Sequence, residues 1–171
     1  MRGLIWFSSL FILLIIQGGV LVPLHLSPVN LILIIAVVAV LLADFNLSLG
    51  LTLTGGLLLD FVSGTPDGLV TMSLLVVFLL LYFVVNSVLS RNVTLVILFS
   101  SVATATIAYF ILFLLFNRLF GLLGLHSPLS VSFLLTRQLP LTLFFNLLLT
   151  YPVLQYYLWI QKWATPSKLK I

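Results

Sequence analysis

Gly50-Leu-Thr-Leu-Thr-Gly-Gly-Leu-Leu-Leu-Asp60-Phe-Val-Ser-Gly-Thr-Pro-Asp-Gly68 carries two of the three acidic residues of the chain and a run of closely spaced glycines. Asp60 stands inside an apolar stretch whose composition belongs in lipid. An aspartate at the centre of a membrane helix costs roughly 2.5–3.5 kcal/mol on insertion scales, so this one needs a partner or a task. Stepping the stretch at 100° per residue places Ser48, Thr52, Gly55, Gly56, Asp60 and Ser63 within an arc of about 140°, with Leu49 and Leu59 intruding. Small residues let a second helix approach closely and hydroxyls bond across it. Asp60 is therefore expected on a face turned toward another helix.

The rest of the chain explains why lipid is the reference solvent. Of its 171 residues 63% are hydrophobic and 6% charged, and the mean hydropathy is +1.37. A soluble domain carries about 25% charged residues. A formal charge of +4 without a dense basic run argues against nucleic acid as a partner. The absence of cysteine removes disulfides, thiol metal sites and thiol nucleophiles.

Working outward, the hydropathy and turn signals predict an all-α integral membrane protein, one domain over residues 1–171. Six transmembrane helices are expected at about 4–22, 29–43, 47–62, 69–89, 94–116 and 138–160. Leu4–Val22 reads as a retained first helix. Pro23 and Pro28 bracket a turn, with Ser27 as N-cap and Pro28 at the first helical position. Helices 2 and 3 are short, so they are either full spans or a re-entrant hairpin; spans are favoured because a re-entrant tip would bury Asp44. Ser63–Gly68 reads as a tight turn into helix 4. Asn117–Thr136 is too apolar for a wet loop and holds Gly121, Gly124 and Pro128, so it is expected to lie as an interfacial segment between helices 5 and 6.

With six spans both termini share one side. That side holds Arg2, Arg91, Lys162, Lys168 and Lys170 against Arg118 and Arg137 on the other, so the positive-inside rule puts both termini in the cytoplasm. Trp6, Tyr156, Tyr157, Trp159 and Trp163 fit an aromatic belt at the same face. Asp60 falls in the opposite half, where Arg137 is its expected partner.

Other polar residues suggest packing more than chemistry. Gln138, Thr142, Asn146 and Thr150 recur every four residues on helix 6, ahead of a bend at Pro152. Ser100, Ser101, Thr104, Ala105 and Ala108 mark a close-packed face on helix 5. His25 and His126 have no carboxylate cluster and make a poor metal site. No Ser-His-Asp spacing, phosphate loop or HExxH motif is present. Neither an enzyme nor a cofactor is expected.

The run Gly50…Gly56-x-x-x-Asp60-x-x-Ser63-Gly64-x-x-x-Gly68, in a six-helix chain of this length with a basic tail, resembles the bacterial rod shape-determining protein MreD family. Asn146 and Pro152 add a looser likeness. The resemblance implies a non-catalytic inner-membrane scaffold of the cell-wall elongation complex, maintaining rod shape. Its partners would be MreC and, through it, MreB, RodA and a class B penicillin-binding protein in peptidoglycan synthesis, with a homodimer also open. Gly56, Asp60, Ser63, Gly64, Gly68, Arg137 and Asn146 are then candidates for structural or partner-docking roles. The family also implies a fold similar to the substrate-binding subunits of energy-coupling-factor transporters. That supplies an alternative, a vitamin-binding subunit using Asp60, Arg118, Arg137, His25 and His126, although helix 1 lacks an Ala-x-x-x-Ala docking pattern. A proton-coupled carrier centred on Asp60 is a third reading.

Overall fold

The computed structural model describes residues 2–21, 29–63, 68–88, 94–124 and 134–164. All of the secondary structure among them is helical: α1 (Arg2–Ile15), α2 (Leu31–Leu42), α3 (Phe45–Ser63), α4 (Leu69–Val88), α5 (Leu95–Leu122) and α6 (Leu139–Ala164). A π-helical turn, Ile16–Leu21, extends α1, and another, Leu134–Gln138, leads into α6. Four stretches are long and apolar enough to cross a membrane: Phe45–Val62, Leu69–Ser87, Leu95–Leu122 and Leu134–Trp163. The apolar helices Ile5–Gly19 and Leu31–Leu42 are shorter.

The shortest helix is at the centre. Leu-Ile-Leu-Ile-Ile-Ala-Val-Val-Ala-Val is apolar on every side, and a helix of that kind has no face to offer water. Accordingly every residue of Leu31–Val40 is buried, and α2 touches α1, α3, α4, α5 and α6. Its 12 residues rise only about 18 Å, against a hydrocarbon core of about 30 Å. The other helices form a shell, with Phe61, Phe83, Val96, Ile111 and Phe144 facing outward. In lipid such a surface is satisfied; in water it would be an aggregation hazard.

Several boundaries differ from expectation for identifiable reasons. Helix 2 starts at Leu31 because Asn30 is its N-cap, its side chain accepting from the Leu33 N–H at 2.9 Å; the Ser27 and Pro28 cap falls outside the described residues. Of the two helices expected to be short, only α2 is, since α3 gains residues at both ends and spans 19. Asp44 is exposed at the turn between them. Helix 5 does not stop at Phe116 but continues to Leu122, closed by Gly124 at φ +72°. Nothing in Asn117–Phe120 breaks a helix, so the first part of the expected interfacial segment is a further turn and a half of α5. Thr136 lies in the π-helical turn before α6, and residues 125–133 are outside the described residues.

Candidate functional site

The bundle holds two buried polar centres, one at the α3–α4 junction and one at the start of α2, and each serves a helix N-terminus. The first is built on Asp60. An α-helix starts with N–H groups that have no intrahelical partner, and an N-cap side chain ordinarily accepts from the second or third of them. At the head of α4 the cap position is Gly68, whose carbonyl accepts the first helical bond from Met72 N at 2.8 Å. Gly68 has no side chain to offer and sits at φ +90°, a left-handed conformation that glycine adopts without penalty. Asp60 supplies the missing acceptor from the neighbouring helix. Its Oδ1 accepts from Val70 N at 2.9 Å, and Oδ2 accepts from Thr71 N at 3.0 Å and from the Thr71 hydroxyl.

The carboxylate is 6% exposed, so these three donors replace water for it. The positive end of the α4 dipole favours its charge. Arg137, the expected partner, is exposed on the π-helical turn before α6 and makes no ion pair with it. Backbone donors do what the arginine was assigned to do.

Glycine sets the distance that makes this cap possible. A Cβ on Gly56 would stand 2.9 Å from the Thr71 Cα, and one on Gly55 2.5 Å from Ile32 Cγ2. Adjacent glycines thus bring α3 against α4 on one flank and against α2 on the other. Ser48, Thr52 and Leu59 are buried on the same side of α3, whereas Leu53, Leu57 and Phe61 face outward.

The second centre caps α2. Asn30 N donates to Asn146 Oδ1 at 3.0 Å, and Leu31 N donates to Gln17 Oε1 at 3.0 Å. Asn146 Nδ2 then donates to Thr106 Oγ1 at 3.1 Å, which ties α6 to α5. With the Asn30 side chain on Leu33 N, three donors at the start of a buried helix, Asn30 N, Leu31 N and Leu33 N, are satisfied by Asn146 of α6, Gln17 of the turn after α1 and the N-cap Asn30. A bilayer interior supplies no water for the task, so side chains must. Thr142, Thr106 and Thr150 return their hydroxyls to carbonyls one turn back in their own helices.

Of the sequence candidates, Gly56, Asp60 and Gly68 come together at one junction, and Asn146 is the hub of the other centre. Arg137 belongs to neither. Ser63 ends α3, with its side chain outside the described residues, as are Gly64, His25 and His126. Sequence reasoning missed Gln17, Asn30, Thr71 and Thr106. Asn30 had a usable signal, a strong N-cap residue directly before an apolar run. Thr71 had none, because its role depends on the approach of α3.

No family model, curated protein or solved structure matches the chain. What the arrangement can do chemically is therefore read from its own atoms. Among the described residues no group of three potential metal ligands occurs, and both polar centres are closed by hydrogen bonds to backbone. The more open feature is a groove of about 360 Å³ between α4 and α5. Val77, Leu80, Leu81 and Val84 form one wall, and Ser100, Thr104 and Ala108, one helical turn apart, line the other.

Proposed function

We infer that this chain is a non-catalytic scaffold of a bacterial inner membrane, crossing it six times with both termini in the cytoplasm, and that it serves cell-wall elongation as an MreD-like subunit binding MreC. The observation that carries the scaffold reading is the use of the buried polar side chains. Asp60 and Asn146, the residues best suited to a proton or ligand, are engaged in capping α4 and α2. Chemistry would require such groups to be free to change partners; a scaffold requires them to hold helices in register. Support for the elongation assignment comes from the Gly56-Asp60-Ser63-Gly64-Gly68 pattern and the chain length.

The α4–α5 groove is the surface suited to a partner. Its small-residue wall on α5 admits close approach of a transmembrane helix, and the exposed Ser100 and Thr104 hydroxyls can bond across it. MreB, RodA and a class B penicillin-binding protein would be reached through MreC. The test is co-purification of the tagged chain with MreC from native membranes, scored beside cell shape after depletion. Rods that keep their shape, together with no recoverable complex, would sink the assignment.

A further inference from the structure

The outward face of α6 changes character along its length. Leu141, Phe144 and Leu148 are exposed and apolar, Tyr151 follows, and the same stripe then passes through Gln155, Trp159, Lys162 and Trp163, all exposed. Spacings of three and four residues keep this series on one side of the helix. Ile160 is the last residue of α6 shown to be buried, so the last turn stands clear of the bundle core. Trp159 and Trp163 pack edge to face with centroids 5.9 Å apart. Lys162, three residues from Trp159, shares their face. It has no ion pair among the described residues, and no acidic residue follows Asp67 anywhere in the chain.

Paired indoles place this turn at the level of lipid headgroups, where an amphipathic ring has both an apolar and a wet side. An ammonium there, on a stem long enough to move with the headgroup region, is unpaired by any described side chain and suited to an anion from outside the chain. We propose that the Trp159–Lys162–Trp163 face of α6 is a contact site for the phosphate of an anionic phospholipid, with the indoles holding the glycerol and upper acyl region and Lys162 the headgroup charge. The site favours anionic over zwitterionic lipid by about fivefold, the effect of a single cation near a headgroup plane.

The chain has three tryptophans and Trp6 is buried against Tyr157, so Trp6→Phe leaves an emission that comes from this site alone. The full chain with that substitution is placed in nanodiscs containing equal mole fractions of phosphatidylglycerol and phosphatidylcholine, one of the two brominated at a time. Brominated phosphatidylglycerol is expected to quench several-fold more than brominated phosphatidylcholine. Lys162→Gln brings the two to near parity, and Lys162→Arg keeps the preference. Equal quenching in the parent overturns the proposal. So does a preference that survives Lys162→Gln and disappears only in Lys168→Gln/Lys170→Gln, which would assign the selectivity to the C-terminal tail.

Discussion

Asp60 on α3 accepts both the backbone N–H and the hydroxyl of Thr71 in the first turn of α4, so one carboxylate does the work of an N-cap that Gly68 cannot perform. Truncation to alanine leaves the Val70 and Thr71 N–H groups without an acceptor in a region that excludes water. Asp60→Ala is expected to destabilise the chain by about 1–3 kcal/mol. Asp60→Asn is intermediate, because its amide offers one acceptor oxygen and turns two donors toward donors. Equilibrium unfolding in mixed micelles measures both. Wild-type stability in Asp60→Ala would contradict the capping role.

Gly56 and Gly50 lie on the same helix and answer differently to the same change. A methyl on Gly56 meets the Thr71 backbone at 2.9 Å, whereas one on Gly50 meets nothing within 4 Å. Gly56→Ala therefore forces α3 and α4 apart and is expected to cost about 1–3 kcal/mol. Gly50→Ala, in an exposed position of the helix, is neutral or stabilising by up to about 1 kcal/mol. The sign difference between the two, read in one unfolding assay, is the check.

Gln17 and Asn146 reach the start of α2 from two different neighbouring segments and accept from adjacent N–H groups. Each single leucine substitution is expected to destabilise by about 1–2 kcal/mol, since it leaves one buried donor unpaired. Once one cap is lost the end of α2 frays, so the second substitution should cost less in the double variant than alone. Strict additivity in the double-mutant cycle would show that the two caps act independently.

The Tyr157 hydroxyl is buried at 0% exposure and finds no hydrogen-bond partner among the described residues, while its ring packs on Trp6 at 5.1 Å. Removing the oxygen keeps the ring contact and relieves an unsatisfied polar atom. Tyr157→Phe is expected to stabilise by about 1 kcal/mol. A loss of stability would mean that the hydroxyl has a partner in the folded protein.

These outcomes turn on features that the sequence discloses unevenly. Helix number and order follow from apolar runs and their breaks, and the inward arc of α3 follows from where Gly55, Gly56 and Asp60 fall at 100° steps. The central place of α2 is legible too, in ten consecutive residues without a polar side. The partner of Asp60 is not. Arg137 is the obvious choice when only charges are compared, but a helix N-terminus presents donors that no residue name announces. The same holds for Gln17, whose acceptor role depends on a π-helical turn that Gly18 and Gly19 permit and do not require.

The groove between α4 and α5 offers the test nearest to function. Thr104 and Ala108 form part of its small-residue wall without joining either capping centre. Replacing the exposed Thr104 with leucine fills space that a partner helix would occupy and adds apolar surface where lipid already lies. Stability is then expected to change by less than about 0.5 kcal/mol, as for substitutions remote from packed or hydrogen-bonded features. On the proposed MreC-binding role, recovery of MreC with the tagged chain should fall several-fold, and cells carrying Thr104→Leu as their sole copy should round. Conversely, Met72→Leu, on an exposed position of α4 outside the groove, should leave the complex intact. Undiminished recovery of MreC with Thr104→Leu would move the partner surface elsewhere. Loss with Met72→Leu as well would point to a general effect on the membrane domain.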